Sequence, residues 1–401
     1  MLQRLVLPSG IFFGAALLGG SALAQAPAAN IAEGCVATFD PTADYFPDKV
    51  VVEHAAGFSV TYFDSYKVVT VAEPFQGGAP ETYVLLQCGA PEPELAGDLA
   101  GATIIPVPVE TVFSASATHN PMIEALGVLD RLTGVSSLAY TATQAVIDRG
   151  AAGDIVEFAP TFETNVEVIL DAGPQLLMTG GADDPAYRTL RGAGIPIVAN
   201  AEWLEADILG RAEWIKYIAL FFNAEATAET VFGEIDAAYA AAVALGASVP
   251  EAERPLVFSG SGFQGIFYAS GGASYVAQAI VAAGATYVFA DNRDAGSIAF
   301  ADLEQLLDRA GDAPFWINAA TNYRTLADIV AEEPRLAALP ASQSGQVWVY
   351  DRMSTASGAL GYWELGVMRP DLILLDMLAI FHPDLVPDHD LVFYRSIEAT
   401  R

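Results

Sequence analysis

Residues 166–198, VEVILDAGPQLLMTGGADDPAYRTLRGAGIPIV, carry the clearest structural pattern in this chain. Val166, Ile169 and Leu170 recur at helical spacing, and the short apolar run Gln175–Thr179 that follows them is typical of a buried central strand. A helix followed by such a strand is one unit of an α/β fold.

The second half of this stretch repeats the pattern. Gly180 and Gly181 end the strand, and a helix over Tyr187–Gly194 leads into the apolar strand 195–198. Alternation of this kind builds a parallel sheet, and the ligand crevice of such a sheet lies at the carboxyl ends of its strands. No side chain in the stretch is typical of a nucleophile or a metal ligand, so the stretch indicates a protein that holds a molecule rather than one that transforms it.

The first 24 residues have the composition of a secretory signal. Arg4 supplies a charged start, Ile11–Leu18 an apolar segment too short to span a bilayer comfortably, and Ala22-Leu23-Ala24 a small-residue cleavage site. No Cys follows these small residues directly, so a lipid anchor is not expected. We predict a signal peptide over residues 1–24, cleavage near Ala24 and a soluble, exported protein.

The rest of the composition excludes several classes of protein. The formal net charge is −31 over 401 residues, and 53% of the residues are hydrophobic. A negative field of this size repels nucleic acid and anionic membranes, so neither is an expected partner. The hydrophobic fraction excludes a disordered chain, and the length predicts two or three domains.

The chain contains two cysteines, Cys35 and Cys88. In an oxidising compartment such a pair predicts a disulfide, which here would tie the mature N-terminus to the strand Tyr83–Gln87. Two unrelated buried thiols are the alternative. In either case the cysteines are structural.

Sequence patterns divide the chain after the signal into four regions. Residues 25–102 are a strand-rich appendage, 103–205 an N-terminal α/β lobe, 206–250 a pair of linking helices, and 251–401 a C-terminal α/β lobe. The predicted fold class is therefore α/β, with two Rossmann-like lobes joined by a long helix and an N-terminal strand-rich appendage.

Individual elements follow from the same patterns. Predicted strands of the appendage are Lys49–His54, Phe58–Phe63, Lys67–Val71 and Tyr83–Gln87, and Ile104–Val109 is predicted as the first strand of the N-terminal lobe. The linking helices are predicted at Leu209–Phe222 and Thr227–Leu245. Because a helix rather than loose strands connects the lobes, we expect little freedom to hinge.

Five stretches, in this order along the chain, carry a family resemblance: SATHNPMIEALGVLDRLTGVSS (116–137), the stretch 166–198, AEWLEADILGRAEWIKYIALFF (201–222), GGASYVAQAIVAAGATYVF (271–289) and GYWELGVMRPDLILLDMLAIFHPDL (361–385). They resemble the periplasmic substrate-binding proteins of ABC importers that take up ferric siderophores, haem or cobalamin. The resemblance implies a periplasmic receptor, not an enzyme, that binds an iron chelate or a corrinoid between its lobes and delivers it to a membrane permease. We expect a monomer without a resident cofactor or metal.

Aromatic and arginine side chains follow the predicted strands of both lobes. Aromatic walls bind large planar or chelate surfaces, and guanidinium groups pair with carboxylates and similar oxyanions. The predicted ligand-binding residues are His119, Tyr140, Phe162, Tyr187, Arg188, Trp203, Phe263, Tyr268, Arg293, Tyr323, Arg352 and Trp363. Arg188 and Arg352 come from different lobes, and the set fits an anionic chelate better than a bare ion.

The segment 260–265, GSGFQG, matches a dinucleotide-binding fingerprint. In that fingerprint a helix opens at the third glycine, whereas here the helix is predicted to begin only at Ser274. We therefore predict a flexible cleft loop in which Phe263 and Tyr268 face a bulky ligand.

Two other functions stay open from the residues alone. His119 is expected at the edge of the cleft, but a zinc or manganese receptor needs three or four converging ligands, and no other histidine lies near it in sequence. An exported serine hydrolase would use Ser259, Ser261 or Ser270, which lack a histidine nearby in sequence.

Glu167 and Glu304 lie on predicted helices in different lobes and in similar contexts, NVEVILDAGPQLLM and DLEQLLDRAGDAPFWI. In the resembled family, a surface glutamate of each lobe docks into arginine pockets of the permease, and these two residues align with those positions. Two ordinary solvated helix glutamates are the alternative.

Overall fold

The computed structural model describes residues 27–319, 321 and 323–398, so the predicted signal peptide and its cleavage site lie outside the described residues. The strands are β1 Phe58–Tyr62, β2 Tyr66–Val71, β3 Glu81–Gln87, β4 Thr103–Val107, β5 Val112–Ser114, β6 Leu132–Val135, β7 Val156–Glu157, β8 Leu176–Thr179, β9 Ile197–Ala199, β10 Leu256–Ser259, β11 Ser261–Phe263, β12 Ile266–Ser270, β13 Thr286–Tyr287, β14 Ser297–Phe300, β15 Phe315–Ile317, β16 Trp348–Val349 and β17 Arg395–Ser396.

The α-helices are α1 His119–Ala125, α2 Gln144–Ala152, α3 Val166–Ala172, α4 Pro185–Gly192, α5 Ile208–Ala219, α6 Glu225–Ala247, α7 Tyr275–Ala282, α8 Leu303–Ala310, α9 Leu326–Glu332, α10 Pro340–Ser344, α11 Gly361–Met368 and α12 Pro370–Phe381. In the stretch 166–198 the predicted alternation of helix and strand is present as α3, β8, α4 and β9.

The appendage is a four-stranded sheet with the order β1-β2-β3-β4. Its first three strands are antiparallel, whereas β4 runs parallel to β3. The strand predicted to open the N-terminal lobe therefore belongs to the sheet of the appendage. Cys88, directly after β3, forms a disulfide with Cys35. Where the appendage ends and the lobe begins stays a prediction.

The predicted strand Lys49–His54 is wrong, because this segment has no strand partner. Its backbone amides donate instead to carboxylates: His54 and Ala55 to Glu213 at 2.7 Å each, and Val51 to Glu229 at 2.8 Å. Buried backbone donors must find acceptors, and here side chains of the linking helices supply them.

The sheet of the N-terminal lobe is wholly parallel, with the order β7-β6-β5-β8-β9. Its central strand, β5, is three residues long and was not predicted, because so short a run shows no periodicity. Val112 and Phe113 of β5 are buried together with Leu176 and Leu177 of β8.

The C-terminal lobe contains two three-stranded sheets. One is parallel, with the order β13-β10-β15, and the other is antiparallel, with the order β11-β12-β14. The flexible loop predicted after residue 259 is therefore wrong, since β11 and β12 form a hairpin. Gln264 and Gly265 turn it with positive φ angles of 51° and 79°, as tight hairpin turns require.

Two helices carry the connection between the lobes, and a third joins their cores. Every residue of α5 is buried, and α6 follows it for 23 residues. Within the described residues α6 is long and apolar enough to cross a membrane, a property that core helices of soluble proteins share. In α11, Tyr362 lies in the core of the C-terminal lobe, while Val367 and Met368 lie in that of the N-terminal lobe.

Candidate functional site: the crevice between the lobes

A cavity of about 680 Å³ has one wall from each lobe. The N-terminal lobe contributes Leu138, Ala142, Gln144 and Ile147, and the C-terminal lobe contributes the segment 352–357. The first wall follows the carboxyl end of β6, and the second follows that of β16. This is the place where an α/β fold offers a ligand crevice.

Glu364 of α11 holds these two walls together. Its carboxylate is buried and accepts hydrogen bonds from the backbone amides of Ala142 and Thr143 and from the side chains of Thr143 and Asn120. Burial raises the pKa of Glu364, although these donors oppose the shift. A side chain of the C-terminal segment thus satisfies the free amides that precede α2 in the other lobe.

A buried ion pair lies at the junction of α5 with both lobes. The guanidinium of Arg211 is 3.6 Å from the carboxylate of Glu202 and 5.1 Å from the ring centre of Tyr275. Burial raises the pKa of Glu202, and Arg211 opposes that shift. Arg211 and Tyr275 also line a small cavity together with Trp363. The ion pair of Arg211 and Glu202 is therefore close to the aromatic residues of the C-terminal lobe.

A second cavity, of about 400 Å³, lies at the carboxyl ends of β10 and β15 in the C-terminal lobe. Tyr268 and Trp363 both line it, as the sequence predicted for a cleft. Tyr350 lies beside Trp363, with 5.5 Å between the ring centres. These aromatic rings form one side of the cavity.

On the N-terminal lobe, Tyr140 and Phe162 form an exposed aromatic pair. Their ring centres are 4.9 Å apart, and 54% and 77% of their surfaces are exposed. Phe162 has a φ of 67°, a left-handed conformation that costs free energy for a residue with a Cβ. Both rings are therefore accessible from solvent, and their contact with a ligand stays a prediction.

Arg188 and Arg352, the predicted ligand-binding arginines of the two lobes, do not line the same cavity. Arg352 lines the cavity between the lobes, whereas Arg188 and Tyr187 line a separate cavity of about 120 Å³ beside Phe75 of the appendage. Within the described part of the chain, the guanidinium groups of Arg188, Arg293 and Arg352 make no hydrogen bond or ion pair.

The structure corrects the position of His119. The side chain is fully buried, its Nδ1 lies 2.8 Å from the hydroxyl of Ser114, and burial lowers its pKa to about 3. A neutral imidazole with no exposed surface does not line the crevice, so the predicted ligand contact is wrong in this conformation. Helices α5 and α11 both pack against α1, the helix that begins at His119.

Three further predicted residues have no partner across the crevice. Trp203 and Phe263 are 45% and 63% exposed, on the N-terminal and C-terminal lobes respectively. Tyr323 is partly buried, and its hydroxyl donates to Glu332. Their contact with a ligand stays a prediction.

Four residues of the site were missed from the sequence: Arg211, Tyr275, Tyr350 and Glu364. Three of them lie inside helices, where periodicity indicates burial and gives no reason to suspect function. For Arg211 and Glu364 a signal existed, since a charged residue within an apolar helix needs a buried partner.

The alternative functions find no support in the geometry. Among residues 27–319, 321 and 323–398, no three His, Cys, Asp or Glu side chains converge as a metal site. Ser259, one of the candidate nucleophiles, is fully buried and lies 3.2 Å from the hydroxyl of Tyr287.

Glu167 and Glu304 occupy equivalent positions in the two lobes. Each is the exposed second residue of its helix, α3 or α8. The helices begin in the same way, with Asn165 and Asp302 accepting a backbone hydrogen bond at the N-cap.

Two α/β lobes with a crevice between them, joined by a long helix, define a class of solute-binding protein. Residues 114–353, more than half of the chain, match the family model described as periplasmic binding protein, and the chain belongs to that family. The family resemblance and the α/β fold class predicted from the sequence are confirmed. Members of this family are binding proteins and not enzymes, and this protein is therefore a binding protein.

Solved structures show the same fold at low sequence identity. The periplasmic haem-binding protein RhuT of Roseiflexus is 18% identical, with a TM-score of 0.54 over 69% of this chain and 99% of that one. The vitamin B12-binding protein BtuF of Vibrio cholerae is 15% identical, with a TM-score of 0.50 over 70% of this chain and 99% of that one.

A relative by sequence is a lipoprotein of Methanocaldococcus jannaschii, 25% identical over 355 residues, which are 83% of this chain and 82% of that protein. The matched share of this chain is larger than the share that lies after residue 102. The relative therefore also matches part of the appendage. The family and this relative indicate an exported protein.

Proposed function

We propose that this protein is a periplasmic receptor that binds an iron chelate, a haem or a corrinoid between its lobes and delivers it to an ABC importer. The observation that carries the proposal is the cavity of about 680 Å³ with one wall from each lobe. Its volume is in the range of small-molecule sites. Haem and vitamin B12 are ligands of structural neighbours, which supports this class of ligand.

The residues around the crevice support a large ligand, and one arginine offers a place for an acidic group where the ligand has one. Trp363, Tyr268 and the pair Tyr140 and Phe162 offer aromatic surface from both lobes. Arg352 supplies an unpaired guanidinium on the wall of the cavity. Because this guanidinium makes no ion pair with the residues that the structure describes, it is free to form a bidentate pair with a carboxylate or a similar group.

Tryptophan fluorescence provides a direct test, because Trp363 lines the cavity of the C-terminal lobe and is 43% exposed. Titration with ferric siderophores, haem and cobalamin should give saturable quenching by at least one of them. The variant Trp363→Phe should lose most of that signal, whereas Trp348→Phe, at the pairing of β16 with β17, should keep it. No quenching by any of these ligands would contradict the proposal.

The docking of the receptor on its permease forms the second part of the proposal. One exposed glutamate on each lobe gives two anchoring points for arginine pockets, which favour orientation and association rate over affinity. The double variant Glu167→Arg/Glu304→Arg should abolish uptake while ligand affinity stays unchanged. The exposed residue Glu124 of α1 serves as a control, since Glu124→Arg should leave uptake intact. An equal loss of ligand affinity would instead place the glutamates in the binding site.

A further inference from the structure

The antiparallel sheet β11-β12-β14 presents a polar face to the cavity of the C-terminal lobe. Side chains alternate across a strand, so Tyr268 and Ser270 share one face of β12, while Phe267 and Ala269 on the other face are buried in the core. This division is what a sheet with one covered side requires.

Strand pairing extends this face across all three strands. Ser261 of β11 pairs with Tyr268, and Ser297 of β14 pairs with Ser270. Residues directly opposite each other in an antiparallel pair lie on the same face. We call Ser261, Tyr268, Ser270 and Ser297 the hydroxyl face. All four line the cavity of about 400 Å³.

The hydroxyls of this face are available to a ligand. Within the described part of the chain the side chains of Ser261 and Ser297 make no hydrogen bond, whereas the side chain of Ser270 interacts with the hydroxyl of Tyr287. Each hydroxyl can donate one hydrogen bond and accept two, and rotates to suit its partner. Trp363, which lines the same cavity with 43% of its surface exposed, adds an aromatic surface for a flat group.

Charge is absent from this lining. Of the described residues around the cavity, none carries a carboxylate, an ammonium or a guanidinium, in a chain with 49 acidic and 18 basic residues. No cationic group among these lining residues compensates the desolvation of an anion, and the net charge of −31 disfavours anions further.

We propose that the hydroxyl face is a subsite for an uncharged part of the ligand, whose edge bears amides or hydroxyls and whose flat surface packs on Trp363. This inference rests on the proposed function and narrows the ligand class. Any acidic group of the ligand then lies at Arg352, in the other cavity of the crevice.

The test compares ligands that differ in charge. Cyanocobalamin has an uncharged edge rich in amides, ferrichrome is an uncharged hydroxamate complex, haem carries two carboxylates, and a ferric tris-catecholate carries three negative charges. We expect one of the two uncharged ligands to bind at least about 10-fold more tightly than the tris-catecholate. That ratio corresponds to about 1.4 kcal/mol.

Substitutions on the hydroxyl face test whether this face causes the preference for uncharged ligands. The triple variant Ser261→Ala/Ser270→Ala/Ser297→Ala should weaken binding of the uncharged ligand roughly 10-fold to 100-fold, because the free hydroxyls of Ser261 and Ser297 and the hydroxyl of Ser270 beside Tyr287 are all lost. Ser59→Ala, an exposed serine on β1, is the matched control and should bind as the wild type does. Ser297→Lys, at an exposed position, should reverse the order of the ligands by adding a positive charge.

Each outcome is informative. Preference for the tris-catecholate, or unchanged binding of the uncharged ligand by the triple variant and by Ser297→Lys, would overturn the subsite while leaving the receptor function in place. If none of the four ligands binds, both the subsite and the proposed function are contradicted.

Discussion

Helices α5 and α6 follow each other in the chain and meet opposite environments. All 12 residues of α5 are buried although Arg211, Glu213 and Lys216 are charged. By contrast, α6 has a mean hydropathy of 1.2 in its most apolar window, yet only 22% of that window is buried. Composition therefore does not decide which helix is enclosed.

The available partners explain the difference. Glu213 accepts hydrogen bonds from the backbone amides of Glu53, His54 and Ala55, and Lys216 donates to the carbonyl of Val51 at 2.6 Å. Glu213 and Lys216 thus replace their lost water with protein groups. The appendage supplies most of these groups, so it holds α5 inside the molecule.

The exposed face of α6 consists largely of small residues. Exposed alanines lie at positions 237, 240, 241 and 244. An alanine exposes little apolar surface, so leaving it in water has a small effect on the free energy of unfolding. A helix can therefore have an apolar composition and still lie at the surface.

Removing a buried charge of α5 should lower the free energy of unfolding more than any other substitution considered. Glu213→Ala leaves the amides of Glu53, His54 and Ala55 and the ammonium of Lys216 without this acceptor, and should lower the free energy of unfolding by about 3–5 kcal/mol. Urea denaturation measures this change. Glu234→Ala, exposed on α6, should stay within about 0.5 kcal/mol, and equal effects at the two sites would contradict the comparison.

A buried carboxylate of α11, which packs against α5, should have the next largest effect. Glu364→Ala leaves the amides of Ala142 and Thr143 unpaired and should lower the free energy of unfolding by about 2 kcal/mol. Because these amides border the cavity between the lobes, ligand affinity should fall as well. The exposed Glu124→Ala serves as the control in both measurements, and unchanged ligand affinity in Glu364→Ala would separate Glu364 from the site.

The pH dependence should have opposite sign at these two carboxylates. Burial favours a higher pKa for Glu213, but the amides of Ala55, Glu53 and His54 and the side chain of Lys216 outweigh it and hold the pKa below the ordinary 4.5. The stability that Glu213 contributes is therefore present above pH 4.5 and is lost as the pH falls through the lower folded value.

For Glu364 the folded pKa is raised by burial, so its favourable contribution is present below pH 4.5 and is lost as the pH rises through the folded value. The variants Glu213→Gln and Glu364→Gln, unfolded in urea between pH 7.5 and 4, should show this contrast. The advantage of the wild type over Glu213→Gln should shrink with falling pH, and its advantage over Glu364→Gln should grow. If the two advantages changed in the same direction with pH, the opposite pKa shifts of Glu213 and Glu364 would be refuted.

The smallest effect is expected on the exposed face of α6. Ala240→Lys should change the free energy of unfolding by no more than about 0.5 kcal/mol, because the new side chain lies in water. Ala242, two residues later, is 1% exposed, and Ala242→Lys should cost several times as much, since it buries an ammonium. Thermal denaturation of both variants measures the difference. Equal melting temperatures would show that this face of α6 does not lie in water.

Most of the β/α order could be predicted from the sequence, but the candidate site only in part. Of the predicted residues, Tyr268, Trp363 and Arg352 line cavities, and Arg352 does so from the segment that follows strand β16. His119 also follows a strand, yet α5 and α11 cover it. Position after a strand predicts proximity to the crevice, and packing of distant helices decides exposure.

The sequence by itself determined the alternation of helices and strands and the family, because periodicity and turn residues are local properties of the chain. Tertiary structure alone decided that β4 joins the appendage, that residues 49–54 bond to carboxylates of the linking helices, and that Glu364 joins the two walls of the crevice. It also decided that the hydroxyl face forms across three strands. Each of these depends on partners that are not adjacent in sequence, and no local pattern specifies such a partner.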